Sequence, residues 1–478
     1  MLVMFFFLSA GEERENPWKD RVAPAVEQAK RDGQVGSYWA ALNAAWRADD
    51  WRTGLDLART ALEKHPDEHE LKAAAARAYW RAGLMAEAER LVDELSPRSS
   101  DRVALAARIM VNLARGDRQA TRDAAGRLEA LKDVTGEDLY YVVGARFVHN
   151  ELRDLGQLIR RAAKLTDPDN GYPEMYVLEQ LEGLPEFFEA IGDEPVNQVT
   201  SCGKAMMPPI PLINLPGCQV MINGRGPYRM IVDTGGSITL SLDTQVAAEL
   251  GLKSIVNSTV HGVSGKQDSG QVLVDELRIG EITCRRVLTR TFDVRKAVAF
   301  SADGIIGTGI FAESRMTLDF LNGQLLVQPS SEKPAAGVAA LVRIVGDAKL
   351  VVPVKLQGES AVALLDTGAD VFTVSPSRLE RLFPEHKITT ISSPMLTLGV
   401  GDEQGPEISL TPGVEFVFAG RKYENYGGLG LDVLDTLLSP MMGIQTDVLV
   451  GMPIMREMRT LTVDFPRCRM WVEWLESE

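Results

Sequence analysis

Residues 230–237 read MIVDTGGS, and a second stretch of the same kind, ALLDTGAD, occupies residues 363–370. In both, three apolar residues lead directly into Asp-Thr-Gly, so that Asp233 and Asp366 follow the end of a candidate strand. Short apolar runs bounded by glycine are typical of buried strands. The two stretches therefore predict two equivalent β units, each of which presents one aspartate at the end of a strand.

The similarity continues on the C-terminal side of both stretches. An alternating apolar run comes next, and a short helix is predicted after it, with Asp243 as N-cap in one copy and Pro376 at the first helical position in the other. Two further pairs of segments match in the same order: DGIIG at 303–307 with DVLVG at 447–451, and MTLDF at 316–320 with LTVDF at 461–465. Ordered matches at a nearly constant separation indicate an internal duplication.

A single Asp-Thr-Gly carries little information, because Asp and Gly also form ordinary tight turns after strands. Two copies, each after an apolar strand and each followed by an apolar-apolar-Gly segment, are much harder to obtain by chance. The pair, and not either motif alone, is therefore the evidence for a site.

These motifs resemble those of the retropepsin and pepsin families of aspartic proteases, over roughly residues 208–478. The stretch around Asp366 is similar to the retroviral form, and the stretch around Asp233 is closer to the pepsin form. The resemblance implies a bilobal all-β fold in which each lobe donates one catalytic aspartate. Because both lobes lie in one chain, it implies that a monomer completes the site.

The resemblance also implies roles for the neighbouring residues. Thr234 and Thr367 would hydrogen-bond across the axis between the lobes, while Gly235 and Gly368 would let the backbone approach the carboxylates. Two carboxylates held about 3 Å apart cannot both ionise, so they share one proton. The ionised member can then activate a water and the protonated member can act as the acid.

The flap of such a cleft is predicted in two glycine-rich segments. Gly262 and Gly265 mark it in the first lobe, and Gly399 and Gly401 mark it in the second. Neither segment contains the flap tyrosine of pepsins, which favours a retropepsin-like cleft. Ordinary glycine turns are the alternative for both segments.

Residues 21–195 have a different character, with apolar residues at helical spacing and short breaks at Pro or Gly. The clearest candidate helices cover residues 37–47, 51–64, 68–81, 85–95 and 101–114. Their pairs recur roughly every 30 residues, which is similar to a tetratricopeptide array. Such a solenoid has a concave face that suits an extended protein partner, so we expect its role to be recruitment or positioning. An inhibitory propeptide is the alternative.

The expected fold class is therefore multidomain α plus all-β, a helical solenoid followed by a bilobal aspartic protease. The predicted boundaries are 21–195 for the helical domain, 208–330 for the first lobe and 341–478 for the second lobe. The segment SSEKPAAGVAA, residues 330–340, looks like a linker between the lobes. Residues 1–20 hold a possible leader.

Composition and charge limit the function classes. The chain has 478 residues with 45% hydrophobic and 24% charged residues, as in ordinary globular proteins. Its net charge of −15 argues against nucleic acid as a partner, because phosphate binding needs a basic face.

Export from the cytoplasm is an expectation from the N-terminus and the cysteines. The first ten residues, MLVMFFFLSA, are too few to span a bilayer but resemble the apolar core of a signal peptide, without its positive region. The four cysteines fit either small buried residues or one or two disulfides of an exported protein: Cys202, Cys218, Cys284 and Cys468. A periplasmic or secreted location follows from the second interpretation.

Other hydrolytic chemistries lack their motifs. The five histidines form no H-E-x-x-H, and no G-x-S-x-G is present, so neither a metal nor a cofactor is expected. Two functions remain: an endopeptidase that cleaves protein or peptide substrates, and a non-catalytic peptide-binding or scaffold protein with a degenerate protease fold. Both aspartates, threonines and glycines are present, which favours the enzyme.

Overall fold

A computed structural model describes residues 16–175, 183–236, 239–262, 265–298, 301–346, 348–385, 390–391 and 408–476. These residues form two compact units. The first contains the chain up to Asp193 together with Pro440–Gln445, and the second contains Glu194–Ser439 and the chain from Thr446 onward.

The first unit is helical. Its α-helices are α1 Lys19–Asp32, α2 Val35–Arg47, α3 Trp51–Lys64, α4 His69–Arg81, α5 Met85–Glu94, α6 Arg102–Ala114, α7 Arg118–Glu129, α8 Gly136–Val148, α9 Leu155–Leu165 and α10 Leu184–Ile191. The predicted helices 37–47 to 101–114 are all present, with ends within two residues of the prediction. Side-chain caps explain several starts: Asp50 accepts from the Thr53 N–H, and Asp101 from the Ala104 N–H.

The helices pack in two rows. Each helix from α2 to α9 packs against the next along the chain, and α2, α4, α6 and α8 also contact one another in succession. This is the arrangement of a helical-repeat solenoid, in which alternate helices line the inner row.

A segment of the chain itself covers part of that inner row. Tyr172 is fully buried, its N–H donates to the Arg47 carbonyl at 2.7 Å, and its ring lies 5.1 Å from the Trp46 ring. The Arg81 guanidinium lies 5.9 Å from the centre of the Tyr172 ring. The Glu174 carboxylate pairs with the Arg47 guanidinium at 3.4 Å. The segment around Tyr172 therefore packs against α2 and α4 of the inner row.

The second unit is mostly β. Its strands are β1 Gln198–Ser201, β2 Gly203–Met206, β3 Gly217–Ile222, β4 Arg225–Asp233, β5 Leu240–Asp243, β6 Val256–Gly262, β7 Gly265–Ile279, β8 Ile282–Phe292, β9 Gly304–Gly307, β10 Ser314–Asp319, β11 Gln324–Pro329, β12 Val338–Leu341, β13 Arg343–Val345, β14 Lys349–Leu356, β15 Glu359–Leu365, β16 Phe372–Val374, β17 Thr390–Ile391, β18 Ile408–Leu410, β19 Val414–Phe418, β20 Arg421–Tyr426, β21 Leu429–Leu431, β22 Val448–Val450, β23 Met458–Asp464 and β24 Arg469–Trp474. Short helices also lie along this part of the chain: α11 Thr244–Glu249, α12 Val294–Ala297, α13 Pro376–Leu382, α14 Ser439–Met442 and α15 Met452–Met455. All of α14 after Ser439 belongs to the first unit.

Each lobe has its own sheet. In the described residues, the first sheet has the order β1-β8-β5-β9-β4-β3-β7-β6, and the second has the order β17-β18-β21-β16-β22-β15-β14-β19-β20 with β13 on β14. In both, the strand that leads into Asp-Thr-Gly pairs in parallel with the later apolar strand, β4 with β9 and β15 with β22. The predicted helices after the motifs are α11 and α13, capped by Asp243 and Ser375.

A third sheet joins the lobes and has the symmetry of the internal repeat. Its order, over the part of the chain that is described, is β12-β24-β23-β10-β11-β2, with three strands from each lobe. At its centre Thr317 lies opposite Thr462 and their hydroxyl oxygens are 2.9 Å apart. A local twofold axis between these threonines relates the two halves.

The segment predicted as a linker, 330–340, is only partly a connection. Val338–Leu341 forms β12 at the edge of the joining sheet, paired with β24. Ser330 and Ser331 donate to the buried Asp464 carboxylate. The apolar run of β12 is too short for periodicity to distinguish it from a loop, which explains why the sequence did not predict it.

One apolar core extends through both lobes. It includes Met230 and Ile306 from the first sheet and Leu365 and Val450 from the second. The paired strands that carry the aspartates are therefore buried in a common interior, which fixes their relative position.

The four cysteines lie in the described residues, and none of them forms a disulfide there. All four cysteines are free thiols, with Cys202 exposed and Cys218, Cys284 and Cys468 buried. Burial raises the pKa of the Cys218 and Cys284 thiols to about 12. In the residues described, the helices lack the combination of length and hydrophobicity that crossing a bilayer requires.

Candidate active site

The two aspartates emerge from equivalent strand pairs. Asp233 is the last residue of β4 and lies opposite Gly307 of β9. Asp366 follows β15, and its N–H donates to the Val450 carbonyl of β22 at 2.9 Å. Asp233 and Asp366 are each half-buried as residues, and the strands beneath them are buried.

A second aspartate in each lobe anchors the strand that leads to the site. Asp303 accepts a hydrogen bond from the Arg229 N–H at 2.9 Å, and Asp447 accepts one from the Val362 N–H at 3.1 Å. These are the aspartates of the DGIIG and DVLVG segments, so the repeat extends to the side-chain contacts. In the first lobe Arg295 pairs with Asp303 at 2.7 Å.

The threonines of the two motifs form a symmetric hydrogen-bond network between the lobes. The Thr234 hydroxyl donates to the Leu365 carbonyl at 2.7 Å and accepts from the Thr367 N–H at 3.0 Å. In the same way, the Thr367 hydroxyl donates to the Val232 carbonyl at 2.7 Å and accepts from the Thr234 N–H at 3.0 Å. Both side chains are buried, so the network holds the two motifs together beneath the carboxyl groups.

The motif glycines combine hydrogen bonding with close approach. The Gly235 N–H donates to Asp233 Oδ1 at 2.9 Å, and the Gly368 N–H donates to Asp366 Oδ1 at 2.8 Å. Each glycine also faces the opposite aspartate: a Cβ at Gly235 would lie 2.3 Å from Asp366 Cγ, and a Cβ at Gly368 would lie 2.5 Å from Asp233 Cγ. Only glycine fits at either position.

The electrostatics are those of a coupled pair. Burial, the negative charge of Asp233 and a side-chain hydrogen bond with Asp233 all raise the pKa of Asp366 well above its ordinary value. The Gly368 N–H and the positive charge of Lys349 oppose that shift. A hydrogen bond between two carboxyl groups needs a proton on one of them, so the arrangement favours a pair that shares one proton.

The sequence did not single out two residues of this site. A Cβ at Gly236 would lie 2.2 Å from Asp233 Oδ2, although the second motif has alanine at the matching position, Ala369. Lys349 donates from its ammonium to the carbonyls of Gly235 and Gly236. Its separation from those glycines along the chain gave no pattern by which to find it.

Of the glycines predicted to mark the flap, those of the first lobe lie in the described residues. Gly262 pairs with Gly265, where β6 ends and β7 begins. Gly399 and Gly401 lie outside the described residues. The structure therefore brings together Asp233, Thr234, Gly235, Asp366, Thr367 and Gly368, and places the first pair of flap glycines on a hairpin.

Across the residues that the structure describes, there is no group of three or more His, Cys, Asp or Glu side chains that could hold a metal ion.

Comparison with known proteins gives two family matches. Residues 218–310 match the family model described as aspartyl protease, and residues 45–113 match the one described as tetratricopeptide repeat. A crystal structure of a retropepsin-like aspartic protease from Rickettsia conorii is 16% identical over 22% of this chain and 84% of that chain, with a TM-score of 0.18. At that score the structural likeness carries no argument. No curated protein matches the chain.

Proposed function

We propose that this chain is an endopeptidase whose catalytic pair is Asp233 and Asp366. The matches of residues 218–310 to the aspartyl protease family and of residues 45–113 to the tetratricopeptide repeat family support the proposal. The observation that carries the proposal is the mutual contact of the two motifs. Each glycine faces the other lobe's aspartate, and the charge of Asp233 helps to raise the pKa of Asp366.

The mechanism follows from one proton on two carboxyl groups. The ionised member takes a proton from a water molecule bound between the pair, and that water attacks the scissile carbonyl carbon. The protonated member donates to the carbonyl oxygen, which stabilises the tetrahedral intermediate. Both carboxyl groups are now protonated, and one of them passes its proton to the nitrogen of the scissile bond. The C–N bond then breaks, and the pair is left with one proton, as at the start.

The backbone supports this chemistry by fixing the inner oxygens. The N–H groups of Gly235 and Gly368 hold Asp233 Oδ1 and Asp366 Oδ1. The other oxygen of each carboxyl group is then left to face water and substrate. Because the threonine network prevents the lobes from moving apart at this level, the two carboxyl groups stay in contact through the reaction.

The pH dependence follows from the raised pKa of Asp366. As pH rises through that pKa, the shared proton is lost and with it the acid, so activity falls. At low pH, protonation of both carboxyl groups removes the base. A bell-shaped profile of kcat/KM is the expected outcome.

A peptide library incubated with the full-length protein from acidic to neutral pH tests the proposal, with and without pepstatin. We expect cleavage that pepstatin abolishes and that is absent in Asp233→Asn. Peptide binding without cleavage at every pH would favour the second candidate, a non-catalytic peptide-binding protein, for which the helical domain is the supporting observation.

We also propose that the protein is exported from the cytoplasm and that its helical unit recruits the protein substrate. Mass spectrometry of the protein from its native host tests export, and a retained Met1 on a cytoplasmic protein with four free thiols would contradict it. Tetratricopeptide domains are typical of protein interactions, so the helical unit is proposed to select the protein substrate.

A further inference from the structure

Lys349 is a buried lysine that belongs to one lobe and holds the active-site loop of the other. It is the first residue of β14 in the second lobe, and the residue is 4% exposed. Its Nζ donates to the Gly235 carbonyl at 2.8 Å and to the Gly236 carbonyl at 2.7 Å. Both carbonyls lie in the turn directly after Asp233 and Thr234, so the ammonium supports the loop that orients Asp233.

The turn before β14 makes a second contact with the first lobe. The Thr308 hydroxyl, just after β9, donates to the Ala348 carbonyl at 2.8 Å. Ala348 has a φ of 69° and Gly346 a φ of 56°, so the backbone bends sharply to reach this position. Ala348 and Lys349 of the second lobe therefore bind both the turn after Asp233 and the residue that follows β9, the strand paired with β4.

This lysine breaks the symmetry of the repeat. In the first lobe the chain at the start of β3 reads LPGCQV at residues 215–220, with no basic residue at the matching place. A buried ammonium costs free energy unless it is paired or hydrogen-bonded, so its presence in one lobe only calls for a role.

The charge acts on the aspartate of its own lobe. Lys349 lowers the pKa of Asp366, against burial and the charge of Asp233, which raise it. Among the largest influences on the pKa of Asp366, the charge of Asp233 raises it and the charge of Lys349 lowers it. The lysine therefore offsets part of the repulsion between the carboxyl groups.

We propose that Lys349 is a positioning residue of the catalytic pair, which fixes the Asp233 loop through two carbonyls and sets the pH range of cleavage through its charge. This inference rests on the proposed endopeptidase function.

Three substitutions separate the two parts of this role. Lys349→Gln retains a donor for one carbonyl without the charge, Lys349→Arg retains the charge, and Lys349→Met retains neither. Lys355→Met is the matched control, because Lys355 lies on the same strand but is exposed and bonded to Ser360. The measurement is kcat/KM on one peptide from acidic to alkaline pH, with a melting temperature for each variant.

Loss of the charge removes an influence that lowers the pKa of Asp366, so both limbs of the pH profile move to higher pH in Lys349→Gln and Lys349→Met. The limbs stay in place in Lys349→Arg and Lys355→Met. At its optimum, Lys349→Met also loses about tenfold in kcat/KM, because its loop is less firmly held. A uniform fall in rate with unmoved limbs in Lys349→Gln would overturn the proposal.

A result without any cleavage by the wild-type protein would refute the proposed function and not this inference. In that case carbon-13 NMR of the aspartate carboxyl groups gives the test, with Asp366→Asn to assign the signal. A titration of Asp366 at higher pH in Lys349→Gln than in the wild type supports the role of the charge. An unchanged titration contradicts it.

Discussion

At the residue scale, Gly235 and Gly368 are required for steric reasons, because a side chain at either position would clash with the opposite aspartate. A Cβ at Gly235 would lie 2.3 Å from Asp366 Cγ, closer than any real Cβ contact. We expect Gly235→Ala to fold but to lose at least about a hundredfold in kcat/KM, because the carboxyl groups must move apart.

The control for this prediction is Gly427→Ala. A Cβ there would meet nothing within 4 Å. Its activity and melting temperature should equal those of the wild type. Equal activity in Gly235→Ala would mean that the two carboxyl groups need not be as close as described.

The residues of the site differ in how far the sequence could predict them. The Asp-Thr-Gly pairs are local motifs with a duplicated context, so Asp233 and Asp366 could be chosen from the sequence. Lys349 could not, because it meets Gly235 and Gly236 only through the fold. Gly236 could not either, since the second lobe tolerates Ala369 at the equivalent position.

At the scale of elements, the two lobes anchor the strand that leads to the site with different electrostatics. Asp303 is paired with Arg295, but burial raises the pKa of its counterpart Asp447 to about 7. The Val362 N–H and the charge of Arg381 lower that pKa, and Asp435 and Glu359 raise it further. The second lobe therefore holds a carboxyl group that titrates near neutral pH.

Stability should respond to this group with a defined sign. The folded pKa of Asp447 lies above its unfolded value of 3.8. Its contribution to the free energy of unfolding is therefore fully present below about pH 4 and is lost as pH rises through about 7. Asp447→Asn removes that loss, and it should raise the free energy of unfolding at pH 8 by on the order of 2–4 kcal/mol relative to the wild type.

Denaturant unfolding at several pH values measures this effect, and Asp303→Asn is the matched control. Asp303→Asn breaks the ion pair with Arg295 and should destabilise the first lobe without flattening the pH dependence. If the free energy of unfolding of Asp447→Asn fell as steeply between pH 4 and 8 as that of the wild type, the titration would belong to another group.

The elements themselves were predictable to different degrees. The helices of the first unit follow apolar periodicity and caps, so the structure places them close to the prediction. Strand β12 falls in the segment that the sequence predicts as a linker. Its four residues, which pair with β24, are too few to show a periodicity in the sequence. The segment around Tyr172 has no periodicity, and its burial depends on Trp46, Arg47 and Arg81, which lie far away in the sequence.

At the scale of the whole molecule, the helical unit contains none of the catalytic motifs. We expect a shortened chain that starts near Val196 to fold and to cleave a short peptide at nearly the full-length rate. It should lose efficiency on its natural protein substrate, because the domain that we propose to select the substrate is absent. A comparison of the two proteins on one short peptide is the measurement.

Two other results of that comparison would contradict this prediction. A much faster cleavage by the shortened chain would make the helical unit an inhibitory segment. An insoluble shortened chain would mean that the two units do not fold independently.

The central claim is that Asp233 and Asp366 act as one pair with one shared proton, and four proteins test it most directly. The measurement is kcat/KM on a single peptide for the wild type, Asp233→Asn, Asp366→Asn and the double mutant, with the melting temperature as a check on folding. We predict that each single mutant loses at least about a thousandfold and that the double mutant loses no more, because acid and base act as a unit. Near-normal activity in either single mutant, or losses that multiply in the double mutant, would contradict the shared-proton pair.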